Sequence, residues 1–470
     1  MKHTSLLLKD AYGTEEMRAV WDECNMVQKW LDVEAAIAGA QQELGLIPVE
    51  AAETIIQKCT VDQLSPDMIA AINADARHLI VSFIKAFEKM CGPAGEYFHL
   101  GATTQDIVDT GCILQIREAY TIVVNDLIAL EKVLIDLALQ HKDTVMMGRT
   151  HAQHTAPLTF GLKVAIWASE IGDHIDRLSE CAERLFVSSI SGAVGSNASF
   201  VFLFGEEKAE KFLRAASRKL GLKMADIDLH LRTDRFSELL NILALAGVTL
   251  GRVGLEIRDL QRTEIAEVCE PWESGKQHSS STMPHKRNPA SSEWQNGLAQ
   301  IMRASAFTLG GVQMQHERDA TWMALQLSQI SESFLACAAA IKNAREVFQG
   351  LEVYPERMRR NMNLQQGLAM SEAIMLALYK KTGKKQTAHR IVYEVSNQAW
   401  AENRPVLEVL LEHQEARKYL VESEIQKVLD PETYCGNCAT QVDRVVAVLR
   451  GKMSSQWLSR SWSSMNAIDE

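Results

Sequence analysis

The feature that most constrains the fold is a series of long, proline-free segments in which apolar residues recur at three- and four-residue spacing. This spacing predicts helices over 113–140, 158–187, 235–268, 290–312 and 321–348, each much longer than the roughly twelve residues of an average globular helix. The first has an apolar stripe formed by Ile113, Ile116, Tyr120, Ile122, Leu127, Leu130, Leu134 and Leu137. Because alternating strand patterns are scarce, the sequence predicts an all-α fold with a long central helical bundle.

The bundle is expected to be flanked by smaller helical units, because 470 residues exceed what one compact core usually supports. We expect an N-terminal helical domain over 1–111, the central bundle over 112–353 and a C-terminal helical domain with a tail over 354–470. The pair Tyr354-Pro355 marks the start of the last unit. The sequence does not decide whether the tail packs onto the protein.

Composition restricts the kinds of partner. The 49 basic and 60 acidic residues give a net charge of −11, which argues against a nucleic-acid or anionic-membrane partner. An uninterrupted apolar stretch long enough to span a bilayer is not found, and the N-terminus lacks a secretory apolar core, so we expect a cytoplasmic protein. The nine scattered cysteines are typical of reduced thiols, and Cys435-Gly-Asn-Cys438 reads as a turn rather than a zinc or redox site.

The run from Ser279 to Pro289 reads Ser-Ser-Ser-Thr-Met-Pro-His-Lys-Arg-Asn-Pro and combines serines, a stiffened turn, a lysine and an asparagine. A serine hydroxyl near positive charge can act as a base, and lysine and asparagine can donate hydrogen bonds to a carboxylate. Such a set suits removal of a proton beside a carboxylate.

This run resembles the signature of the fumarase/aspartase superfamily, most closely that of adenylosuccinate lyases and bacterial carboxymuconate cycloisomerases. The segments 98–106 and 147–154 resemble two further conserved regions, so the resemblance extends from about Asp10 to about Leu449. It implies a homotetramer with a 20-helix core, in which these regions from different subunits meet at composite active sites.

The resemblance also implies roles for single residues. Ser280 is expected to be the base that removes the proton, and His151 the general acid, with Glu293 holding its ring. Lys286 and Asn288 are expected to clamp the substrate carboxylate. A histidine suits the acid role because its ordinary pKa lies near neutrality.

Further residues fall at family positions that line the pocket. Thr103 and Thr104 are expected to grip a substrate carboxylate, and they are also placed to cap the helix that starts near Gln105. The remaining members of this set are Arg77, His78, His99, Ser281, Met283 and Arg318. We expect neither a metal nor an organic cofactor, because the substrate carboxylate is the electron sink and the pair His151/His154 lacks an evident third ligand.

The departures from the family pattern affect the part of the site that would hold a nucleotide. Adenylosuccinate lyases typically carry arginine where this chain has Ala11, and a serine-rich element ending in arginine where it has 320–327, which ends in Leu327. Leu79 stands where aspartate often follows Arg-His. Arg232 aligns with a family glutamine that meets the acidic part of the substrate. An arginine binds a carboxylate in a bidentate manner, which an amide cannot do.

The sequence therefore predicts a lyase that cleaves a carbon–nitrogen bond by β-elimination and releases fumarate from a small polycarboxylate. An N-substituted aspartate such as iminodisuccinate is the expected substrate class. The alternatives are a carboxymuconate-type cycloisomerase, although those enzymes tend to carry tryptophan where His151 stands, an adenylosuccinate lyase proper, and a catalytically silent family member.

Overall fold

The computed structural model describes residues 7–74, 79–228, 230–272, 282–311 and 317–454. The N-terminal part is a group of short helices around one longer helix. These are α1 (Glu15–Val20), α2 (Glu23–Glu43), α3 (Val49–Lys58), α4 (Pro66–Asn73) and α5 (Leu79–Met90). Thr14 caps α1 by accepting a hydrogen bond from the Met17 N–H.

The central part is dominated by five long helices within the described residues, with a β-hairpin between the first two. The elements in chain order are α6 (Thr104–Gln140), β1 (Val145–Thr150), β2 (Gln153–Thr159), α7 (Phe160–Leu185), α8 (Ala198–Phe204), α9 (Glu206–Lys219), α10 (Asp234–Leu260), β3 (Val268–Cys269), α11 (Ala290–Gly310), α12 (Thr321–Leu325) and α13 (Ser331–Gln349). A π-helical turn, Gln326–Ile330, joins α12 to α13. Helices α6, α7, α10, α11 and α13 pack against one another and share one hydrophobic core.

The C-terminal part has a small core of its own. Its elements are β4 (Glu352–Val353), α14 (Pro355–Met362), α15 (Ser371–Thr382), α16 (Lys385–Glu402), α17 (Val406–Glu412), α18 (Glu422–Leu429) and α19 (Cys438–Ser454). A separate cluster of buried residues holds α15 to α18 together, among them Leu378, Ile391 and Leu410. The last helix returns to the bundle, where Lys452 on α19 contacts Asp176 on α7.

The all-α prediction is confirmed, and the long helices lie where the apolar spacing places them. Two boundaries differ by several residues: the helix predicted over 113–140 begins earlier, at Thr104, and the helix expected to reach residue 268 ends at Leu260. The chain turns there through Ala266, whose φ is +49°, and Val268 then pairs with Val353 in a short antiparallel sheet. Residues 435–437 form a turn, as expected, Cys438 is the first residue of α19, and both thiols are free.

Within the part of the chain that the structure describes, two apolar helical segments, Asp234–Leu260 and Thr321–Gln349, are long enough to cross a membrane by length and composition alone. In each, 67% of the apolar window is buried inside the protein. This burial is typical of helices at the centre of a bundle.

Candidate active site

The two threonines expected to bind a carboxylate lie at the start of α6. Thr103 is the N-cap residue and Thr104 the first residue of the helix, and both are half-buried. The Thr103 N–H donates to Asp106 Oδ2 at 2.8 Å, which fixes the backbone at the helix start. The threonines therefore begin a helix, and its N-terminal dipole favours an anion in front of it.

Asp106 connects this helix start to two other segments. Its Oδ1 accepts hydrogen bonds from the backbone N–H groups of Ser191 at 2.8 Å and Gly192 at 3.1 Å. The same oxygen lies 2.9 Å from Nε2 of His230. The side chains of Asp106 and His230 are completely buried. This network brings the 188–197 loop and the segment before α10 against the start of α6.

Three further expected residues gather around this network. Arg318 donates to the Ala193 carbonyl at 3.3 Å, and Arg232 lies two residues before α10, where it pairs with Asp234 at 3.1 Å. The Arg232 side chain is 57% exposed. His99 has a φ of +59° and contacts the buried Glu34 through Nδ1 at 2.7 Å.

The environment of His99 favours its charged form. Burial disfavours a charged ring, but the hydrogen bond to Glu34 and the surrounding carboxylates outweigh it and raise the pKa of His99 above its ordinary value. His99, Arg232 and Arg318 thus supply positive charge to this end of the bundle.

His151 lies at the other end, at the tip of the β1–β2 hairpin. His151 and Ala152 both have positive φ, +52° and +60°, as the two central residues of a tight hairpin turn require. The hairpin is fastened by Arg149, which makes two hydrogen bonds to the fully buried Glu267 at 3.0 and 2.6 Å. The His151 side chain is exposed at the tip.

Four expected residues lie in or just before α11. Met283 and Lys286 are exposed, Asn288 is half-buried, and Glu293 is exposed in the first turn of the helix. Glu270 anchors the helix start by accepting hydrogen bonds from the Ser291 and Ser292 N–H groups. These residues lie at the hairpin end of the bundle. Gln261, which directly follows α10, donates to the Arg287 carbonyl, and Glu267 farther along the same segment pairs with Arg149 on the hairpin.

The expected site residues therefore form two groups at opposite ends of α6. Its 37 residues span about 55 Å at 1.5 Å per residue. Thr103 and Thr104 begin this helix, whereas the hairpin with His151 follows its end. The two groups cannot line one small-molecule site within a single chain.

Four expected residues, Arg77, His78, Ser280 and Ser281, lie outside the described residues. Among the residues that the structure does describe, no group of three or more histidine, cysteine, aspartate or glutamate side chains is arranged to hold a metal ion. Of the pair His151/His154, His154 lies on β2 and His151 in the hairpin turn.

Sequence reasoning did not find the polar groups that hold these two ends in place. His230 is a lone histidine in the sequence, and its partners Asp106 and Asp109 lie more than 120 residues earlier. Arg149 and Glu267 are similarly remote in sequence. Of these residues, Asp106 and Arg149 lie in segments, 98–106 and 147–154, that resemble conserved regions of the superfamily, so their positions were the available sequence signal.

Comparison with known proteins identifies the family. Residues 11–303 match the lyase family model, and residues 367–445 match the model for the adenylosuccinate lyase C-terminus. The chain is 43% identical to adenylosuccinate lyase from Pyrococcus horikoshii, over 93% of this chain and 96% of that protein. It is 40% identical to N-acetyl-S-(2-succino)cysteine lyase from Dickeya dadantii, over 95% and 97% of the two chains.

Solved structures of related enzymes have the same fold. The fold matches 3-carboxy-cis,cis-muconate lactonizing enzyme from Pseudomonas putida with a TM-score of 0.88 and 32% identity, over 96% of this chain and 100% of that one. Fumarate lyase from Mesorhizobium sp. BNC1 matches with a TM-score of 0.85 and 32% identity, over 93% and 98%. Fold and relatives together define an all-α lyase.

The chain belongs to the fumarase/aspartase superfamily, in the branch of adenylosuccinate lyases and carboxymuconate cycloisomerases. The expected class, a fumarate-releasing carbon–nitrogen lyase, is confirmed at the level of the family.

Proposed function

We propose that this lyase releases fumarate from a small N-substituted aspartate that has an additional carboxylate and no phosphate, such as iminodisuccinate. One observation supports it most: the two positions that would hold a nucleotide phosphate carry Ala11 and Leu327, whereas Arg232 and Arg318 lie on segments next to the network at the start of α6.

The surroundings of Ala11 and Leu327 support this choice. The Ala11 carbonyl accepts a hydrogen bond from Trp294 Nε1 at 2.8 Å, and the Tyr12 ring packs edge-on against Trp294. Leu327 lies in the π-helical turn and is 49% exposed. A phosphate dianion at these positions would lack charge-assisted hydrogen bonds, each worth about 1.5–3 kcal/mol.

The relatives do not decide the substrate by identity alone. Proteins named for adenylosuccinate and for N-acetyl-S-(2-succino)cysteine match this chain at 43% and 40% identity, respectively. Both names describe a succinyl group joined to a leaving heteroatom. A succinyl thioether is therefore the second candidate substrate, favoured by these succinocysteine lyases.

In the proposed reaction one proton is removed from a carbon of the substrate and one is delivered to the leaving nitrogen. Ser280 removes the proton from the carbon next to a carboxylate, and the electron pair moves onto that carboxylate, which Lys286 and Asn288 stabilise. The pair then returns to form the double bond of fumarate as the carbon–nitrogen bond breaks. His151, oriented by Glu293, protonates the departing amine.

The site assembles from several subunits of a homotetramer in this proposal. The roughly 55 Å between the two ends of α6 requires a second chain to bring His151 to the threonines. Apolar side chains on the long helices are exposed in the single chain, including Leu245 at 50%, Val248 at 44% and Phe307 at 86%. Exposed apolar patches of this kind are typical of subunit interfaces.

The test follows fumarate absorbance with iminodisuccinate, other N-substituted aspartates, N-acetyl-S-(2-succino)cysteine, adenylosuccinate and carboxymuconate. The proposal predicts the highest kcat/KM with an N-substituted aspartate, and none with a Ser280→Ala variant that remains tetrameric. Efficient turnover of adenylosuccinate would refute the argument from Ala11 and Leu327. A preference for the thioether would establish the second candidate, and cyclisation of carboxymuconate without fumarate would establish a cycloisomerase.

A further inference from the structure

A buried histidine lies between two buried aspartates beside the start of α6. His230 Nε2 is 2.9 Å from Asp106 Oδ1, and its Nδ1 is 3.0 Å from Asp109 Oδ2. The side chains of His230 and Asp106 are fully buried, and that of Asp109 is 3% exposed. Because each ring nitrogen faces a carboxylate, both nitrogens donate only when the ring carries two protons. The geometry therefore selects the imidazolium cation.

The surrounding charges agree with this protonation state. Burial disfavours the charged ring, but the hydrogen bonds to Asp106 and Asp109 and their negative charges outweigh it and raise the pKa of His230 to about 9. Asp228 accepts from the His230 N–H at 3.0 Å, and the buried Arg235 lies near Asp109. Gln326 in the π-helical turn donates to the second oxygen of Asp109 at 3.3 Å.

The cluster contacts several segments at this end of the bundle, two of which carry proposed carboxylate-binding residues. Asp106 holds the Thr103 N–H and the Ser191 and Gly192 N–H groups, and Arg232 follows His230 by two residues. Asp109 reaches the π-helical turn through Gln326. Four segments far apart in sequence thus meet at this cluster.

We propose that His230 is a positioning residue for substrate binding, which holds Thr103 through Asp106 and fixes the segment before α10 that carries Arg232. This inference rests on the proposed function, because it takes Thr103 and Arg232 as residues that bind a substrate carboxylate. We call these two residues the carboxylate-binding wall. His230 itself is too deeply buried to touch the substrate.

Loss of the cation changes the charge balance of the cluster. The three groups carry a net charge of −1 with an imidazolium, and −2 when a neutral side chain replaces it. Two buried carboxylates without a cation repel each other and are poorly solvated, so Asp106 or Asp109 must take up a proton or move. Either change disturbs the backbone that presents Thr103, because Asp106 holds its N–H.

Fumarate is the probe for this wall, since every substrate proposed above releases it. We expect a His230→Gln variant to bind fumarate about tenfold or more weakly than wild type in calorimetry, the fold-change that corresponds to misplacing one charge-assisted hydrogen bond. In the forward reaction the same variant should raise KM more than it lowers kcat. The double variant Asp109→Asn/His230→Gln restores the charge of −1 and should recover part of the lost affinity.

The control for a general loss of stability is His174→Gln. His174 is also a buried histidine, and it contacts Thr249 at 2.9 Å on the neighbouring helix and Arg177 at 3.1 Å, without a contact to the aspartate cluster. Unchanged fumarate affinity in His230→Gln would overturn the proposal, as would an equal loss in His174→Gln. If His230→Gln does not fold, a folded double variant that binds fumarate as tightly as wild type would overturn it as well. Failure of the wild-type protein to bind fumarate would instead refute the proposed function, and the positioning role with it.

Discussion

The ion pair between Arg149 and Glu267 should be necessary for the stability of the hairpin that carries His151. Glu267 is fully buried, and its carboxylate accepts two hydrogen bonds from Arg149 and one from Asn361 at 2.9 Å. An Arg149→Met variant leaves this buried carboxylate with the Asn361 amide alone. Breaking a buried pair by removing one partner costs about 3–5 kcal/mol, and because Arg149 is 20% exposed we expect about 3 kcal/mol.

The assay is urea-induced unfolding followed by tryptophan fluorescence at one fixed protein concentration. Arg359→Met serves as the matched control, because Arg359 and Glu432 pair at 2.7 Å but are 64% and 53% exposed. Such an exposed pair contributes less than about 1 kcal/mol. The double variant Arg149→Met/Glu267→Met should lose less stability than Arg149→Met, since no buried charge remains. Equal losses for Arg149→Met and Arg359→Met would refute the reasoning.

Three further predictions concern the other end of the bundle. The pKa of His230 is raised to about 9 from an unfolded value of about 6.5. The contribution of His230 to the free energy of unfolding should therefore be complete below about pH 6.5 and disappear as pH rises through about 9. Urea midpoints of a His230→Gln variant should lack this pH dependence. Arg232→Gln should raise KM about tenfold for iminodisuccinate and less for N-substituted aspartates without the extra carboxylate, and equal increases would contradict the proposed contact. Gly195→Ala should cost about 2 kcal/mol or more, since φ is +74° and a Cβ would approach Asp228 to 2.3 Å, whereas Gly45→Ala, with an open site at φ +64°, should cost about 1 kcal/mol.

The long helices were predictable because their burial is periodic and local. In the stripe of α6 from Ile113 to Leu137, seven of the eight residues are buried as their spacing indicates, and Ile122 is partly buried. The hairpin before α7 was not predicted, because its turn uses two non-glycine residues, His151 and Ala152, at positive φ. Such a turn lacks the usual glycine signal, and the paired strands and the Arg149–Glu267 contact hold it in place.

The candidate site was predictable only as far as its motifs reached. The resemblance identified Thr103, His151 and Lys286 as residues of one site, but the separation of Thr103 from His151 depends on the length and direction of α6. The burial of His230 between two aspartates depends on contacts between remote segments, and a single sequence contains no local signal for such contacts.

The central claim is that each active site takes its threonines from one subunit and His151 from another. We would coexpress a Thr103→Val/Thr104→Val variant with a His151→Asn variant and measure fumarate release by the purified mixed tetramers. Random assembly of two inactive chains should restore about a quarter of wild-type activity, because each site needs an intact threonine pair from one variant and an intact histidine from the other. If both groups instead came from the same chain, the mixture would be no more active than the average of the two variants.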